Sequence, residues 1–150
     1  MPQHPPIDLF SSTGQCMTMI LAALYEMRAI HTKQETIEHI QRQCWFDLQP
    51  GDWKPYETQA EPRWHSMIAW ARLAAVHREF MLHHDESDHW EISRKGIDKM
   101  EELKQKFSRG ELEVRRGYLW SRTFKRWLCP SYQPSDNDAR RPGDILDEFI

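Results

Sequence analysis

The stretch that most constrains this chain is residues 62–76, Pro-Arg-Trp-His-Ser-Met-Ile-Ala-Trp-Ala-Arg-Leu-Ala-Ala-Val. Pro62 suits a first helical position, where its missing N–H costs nothing. Glu61 just before it favours the positive end of the helix dipole. At about 100° per residue, Trp64, Met67, Ile68, Ala71, Ala74 and Ala75 share one face. His65, Ala69, Arg72 and Val76 lie on another, with Ser66 and Leu73 beside them. The first face is a core stripe, and the second is open to other contacts. A helical period by itself reports packing and not function.

The rest of the chain can be read around that helix. Residues 1–14 form an irregular arm with three prolines and no basic n-region, so it is not a signal peptide. Ser11, Ser12 and Thr13 can cap a first helix over 15–29, with Met19, Ala22, Ala23, Met27 and Ile30 near one face. Thr32, with Glu35 three residues later, makes a capping box for a second helix that runs to Cys44. Ile37, Ile40 and Cys44 point inward. Residues 45–61 contain Pro50-Gly51-Asp52 and Lys54-Pro55, which predicts a loop with a turn of helix near Asp52. The third helix spans 62–79. Residues 80–84 and 89–93 alternate as two strands, with Trp90 and Ile92 on one face and Asp85-Glu86-Ser87-Asp88 as a polar turn between them. Ser93 caps a helix over 94–107, where Ile97, Met100, Leu103 and Phe107 recur at helical spacing.

Three helices, a two-stranded wing and a further helix predict a mainly α chain of winged helix-turn-helix class. That domain occupies 15–107. A basic, aromatic helical extension over 108–129 follows, with Leu112, Leu119, Trp120, Phe124 and Trp127 along one side and Arg115, Arg122 and Arg126 beside it. Gly117 weakens that helix. Residues 130–150 read as an acidic, flexible tail rich in Pro, Ser, Asp and Asn. Its last residues combine carboxylates with Ile145, Leu146, Phe149 and Ile150, a turn of helix able to dock.

With 150 residues the chain can hold one domain and a tail. No apolar run approaches the ~18 residues of a membrane span. Cys16, Cys44 and Cys129 are scattered without a Cys-x-x-Cys pair, so neither a zinc ribbon nor a disulfide framework is indicated, and a reducing cytoplasm is the simplest setting. His83, His84 and His89 lack a fourth ligand at a defined spacing, so no metal or cofactor is expected. Adjacent strand residues point to opposite faces, so His83 and His84 cannot serve one site, and nothing places a nucleophile or oxyanion hole near them or Asp85. An enzyme is not expected. The net charge of −3 is unevenly spread, and residues 108–128 carry six basic against two acidic side chains.

Leu48-x-Pro50-x-Asp52-Trp53, Pro62-Arg63-Trp64, Ile68-x-Trp70-Ala71-Arg72 and Trp90-Glu91-Ile92-Ser93-x-x-Gly96 resemble the N-terminal domain of Mrr-type restriction proteins. The resemblance covers about residues 15–107. It implies a winged helix that binds double-stranded DNA through the third helix and the wing, in some relatives with recognition of modified cytosine. The family often has polar or basic residues where this chain has Ser66, Met67 and Ala69. The nuclease domain of such proteins has no counterpart, because the later residues hold no Asp…Glu-x-Lys set.

Two functions follow as expectations. In the first, Arg63, His65, Ser66 and Arg72 on the third helix meet DNA. Lys54 before it and Arg94 and Lys95 after the wing hold flanking phosphates. Arg115, Arg116, Arg122, Lys125 and Arg126 add a second basic surface. In the second, the chain is a protein-interaction module or a subunit or inhibitor of a defence system. There the neutral face of Ala69, Leu73 and Val76 and the strip of Trp120, Phe124 and Trp127 dock on a protein partner or a second copy.

Overall fold

The computed structural model of the chain describes residues 5–57, 60–84 and 88–141. It is mainly helical, with five α-helices among those residues: α1 (Ser12–Met27), α2 (Lys33–Arg42), α3 (Arg63–His77), α4 (Arg94–Ser108) and α5 (Arg122–Leu128). No helix in them is long and apolar enough to cross a membrane.

The centre is α1. Every residue from Gly14 to Leu24 is buried, so this helix is enclosed on all sides rather than on one face. Ser11 caps it by accepting from the Gly14 N–H at 3.0 Å. The arm crosses so closely that a Cβ on Gly14 would lie 2.1 Å from the Asp8 carbonyl. Thr18 satisfies its buried hydroxyl on the Gly14 carbonyl. The capping box of α2 forms as the sequence predicts: Thr32 accepts from the Glu35 N–H and Glu35 from the Thr32 N–H, both at 3.0 Å. Ser93 caps α4 by accepting from the Gly96 N–H at 3.0 Å, without a reciprocal bond because Gly96 has no side chain. The turn near Asp52 is a 3-10 helix, Pro50–Trp53. In α3, Pro62 is the cap and not the first helical residue, and the helix ends two residues earlier than its sequence pattern indicates.

The two strands expected over 80–84 and 89–93 do not form regular strands. They meet in an isolated antiparallel bridge, Met81↔Ile92, flanked by Leu82 N–H to Glu91 carbonyl and Ser93 N–H to Phe80 carbonyl bonds. Trp90 pairs instead with His31, which exchanges both backbone hydrogen bonds with it at 2.8 and 2.7 Å. Residues 89–93 therefore divide their ladder bonds between two partners. Residues 85–87 of the turn lie outside the described residues. A Cβ on Gly96 would come 2.1 Å from the Phe80 carbonyl, so glycine lets α4 start against the base of this hairpin.

The expected single helix over 108–128 is broken. A 3-10 turn, Val114–Arg116, precedes Gly117, and α5 begins only at Arg122. Gly117 packs beneath the Trp120 ring, where a Cβ would sit 2.0 Å from a ring carbon. Trp120 bridges to Phe46, and Leu119 and Ser121 exchange backbone bonds with Asp47 and Trp45. Residues 108–129 thus belong to the same core as 15–107. The tail is also anchored through 141. Tyr132 is buried, its hydroxyl donates to Asp138, and Arg141 lies 2.7 Å from Asp52. Burial and then Asp138 push the Tyr132 hydroxyl up to about 12. Residues 142–150, with Ile145, Leu146, Phe149 and Ile150, lie outside the described residues.

Candidate interaction surface on the third helix

Trp64, Ile68, Ala71 and Ala75 of α3 are buried, as the core stripe requires. Met67 and Ala74, placed on that stripe by the sequence, are half-buried at its edge. The opposite side carries Ala69, Trp70, Leu73 and His77 by helical spacing. Trp70 is 69% exposed and Leu73 37%. Arg63, Met67 and Trp70 follow at i, i+4 and i+7 along one strip. The Arg63 guanidinium lies 4.7 Å over the ring of Tyr56, which brings an exposed loop aromatic to the start of that strip. Trp53 is exposed beside the same helix end, with its ring 6.0 Å from Trp64. The surface is therefore aromatic and aliphatic, with a basic end at Lys54 and Arg63. Neither cation has an ion pair among the described residues.

The other residues expected to meet DNA are differently placed. Ser66 is buried, so it is not a surface donor. His65 is half-buried with its ring 4.4 Å from Trp64, and burial holds its pKa below the usual range. Arg72 is half-buried, 5.9 Å over the ring of Trp90. Arg94 pairs with Asp98 at 3.3 Å, and Lys95 lies 3.9 Å from Glu79. Arg115 sits 3.7 Å from both Glu113 and Asp138. Arg116 covers the ring of Phe10 at 4.3 Å. Lys125 is buried against Asp138, and burial lowers its pKa despite that carboxylate. Arg122 and Arg126 are exposed on α5. The expected second basic surface is thus partly consumed by internal pairs.

The aromatic strip is not a docking face. Trp120 is 2% exposed and Phe124 0%. Phe124 stacks on Trp127 at 5.8 Å, and Trp45 closes over Phe124 at 4.8 Å. Trp127 is half-buried, donates to Glu26 and lies under Lys104. The three rings do cluster, although Trp120 stands before α5 and only Phe124 and Trp127 share that helix, and residues distant in sequence cover them. Trp70 and Tyr56 are the surface groups that sequence reasoning missed. The signal was present, since Trp70 falls outside the core stripe of its own helix.

No group of three or more His, Cys, Asp or Glu side chains among the described residues is placed to hold a metal ion. His84 instead contacts Glu91 at 3.1 Å. No family model, curated protein or solved structure matches the chain.

Proposed function

We propose that this chain is a protein-interaction module of winged-helix type whose α3 surface receives an apolar segment with acidic flanks. The observation that carries this reading is the exposure of Trp70 and Leu73 on the outward side of α3. Protein interfaces draw most of their energy from a few Trp, Tyr and Arg residues, and Trp70, Tyr56 and Arg63 supply that set here. Lys54 and Arg63 at one end favour carboxylates on the partner. The winged-helix assignment is supported by helix order and by the short hairpin after α3, whose second arm pairs with the His31 segment between α1 and α2.

The test is a photo-crosslinking residue at position 73 of the full chain in cells. The expected result is one protein adduct, mapped to an apolar segment with acidic flanks. Trp70→Ala and Arg63→Glu each abolish it, while Trp70→Ala changes stability by no more than about 0.5 kcal/mol, as an exposed substitution should. An adduct that survives both substitutions, or none at all, overturns the reading.

A second reading, duplex DNA binding, is favoured by Lys54 and Arg63 standing exposed at the N-terminal end of α3, where helix-turn-helix proteins reach bases. It has an apolar helix face against it.

A further inference from the structure

A cavity of about 680 Å³ lies between α1, α4, the residues that follow α3 and the N-terminal arm. That volume falls within the range of small-molecule sites. Its apolar wall comes from Met17 and Leu21 of α1, Leu103 of α4, and Leu9, Phe80 and Leu112. Thr18 also lines it, but its hydroxyl is already spent on the Gly14 carbonyl, so the wall offers an apolar body no polar competitor there. The arm is fixed across one side because the Arg78 guanidinium donates to the Pro5 carbonyl at 2.9 and 3.2 Å.

The charged groups are one-sided. Arg78, Lys95, Lys99 and Lys106 line the cavity against a single carboxylate, Glu79. Lys106 pairs with Glu102 at 2.9 Å, and Lys95 lies 3.9 Å from Glu79. Arg78 is bonded to neutral carbonyls, those of Pro5 and Ala74, which leaves its charge uncompensated. Lys99 has no ion pair or hydrogen bond among the described residues, and its charge acts at longer range on Glu102, whose carboxylate Lys106 already holds. This is a net positive site inside a chain of net charge −3.

We propose that the cavity binds a small amphipathic anion, a carboxylate whose apolar body lies on Met17, Leu21 and Leu103 and whose charged head meets Lys99 and Arg78. An apolar wall alone would accept any hydrophobe. Arg78, bonded only to neutral carbonyls, and Lys99, outside any ion pair, select the charged one, because a charge-assisted hydrogen bond in a partly desolvated site outweighs a neutral one.

Decanoate is the probe, with decan-1-ol as its uncharged counterpart, titrated calorimetrically into the full-length chain. The expected result is one saturable decanoate site per chain, with decan-1-ol at least about tenfold weaker, the worth of one charge-assisted hydrogen bond. Lys99→Gln weakens decanoate by a similar factor and leaves decan-1-ol unchanged. Leu112→Trp, which fills the cavity from a half-buried loop position, abolishes both, and circular dichroism confirms that the variants are folded. No saturable decanoate binding by the folded chain overturns the proposal. So does equal affinity for the two probes, or binding that survives Leu112→Trp.

Discussion

Replacing Trp120 with alanine is expected to lower the unfolding free energy by about 3–5 kcal/mol, the cost of truncating a fully packed tryptophan. The loss is large against a total of roughly 5–15 kcal/mol for a domain of this kind. Three contributions combine. The ring is buried among Phe10, Phe107 and Phe124, with centroids 5.6–5.9 Å away. Its indole N–H donates to the Gln15 carbonyl at 3.0 Å. Gly117 lies against its face with no room for a side chain, so the local chain path was built for this ring. Urea denaturation measures the change as a shift in midpoint at constant slope. A shift within about 0.5 kcal/mol is what a surface side chain would give, and it would return Trp120 to the outside.

The second large effect falls on Gln15. This side chain is completely buried and bridges two distant segments. Its amide donates to the Phe10 carbonyl at 2.7 Å, and its oxygen accepts from the Leu119 N–H at 2.7 Å. Leucine has nearly the same volume but no polar atoms, so Gln15→Leu leaves a backbone donor and a backbone acceptor without partners. Each costs about 1–3 kcal/mol when buried. We therefore expect a loss of about 2–6 kcal/mol by the same measurement, and faster amide exchange at Leu119 than at the neighbouring helix residues. Wild-type stability in Gln15→Leu would mean that neither bond holds the arm or the 108–129 segment in place.

Both predictions concern a contact that the sequence alone did not disclose. Local signals were read well: the Thr32–Glu35 box, the Ser93 cap, the turn at Asp52 and the core stripe of α3 are set by residues within a few positions of one another. The Trp120, Phe124 and Trp127 strip was equally visible as a strip. What covers it was not, because the cover is distant in sequence: Trp45 lies over Phe124 and Trp127, about 80 positions away, and Gln15 holds the Trp120 indole, about 105 positions away. The tail to residue 141 looked like solvent-loving chain by composition, yet Tyr132, Asp138 and Arg141 tie it down through a few specific pairs. The wing was over-read because two short alternating runs do not say how many ladder bonds they share, and His31 takes some of them. The placement of Trp70 was derivable from its angle on the helix. Its exposure could be known only once α1 was seen to occupy the other side.

On the function proposed above, the outward side of α3 meets a protein and not nucleic acid. The most direct measurement is titration of the full-length chain against a labelled duplex, unmodified and with methylated cytosine, across a salt series. No retardation by the folded chain is expected at any salt concentration that keeps it monodisperse. Binding that strengthens steeply as salt falls, and that Lys54→Ala with Arg63→Ala weakens and makes less salt-dependent, would contradict it.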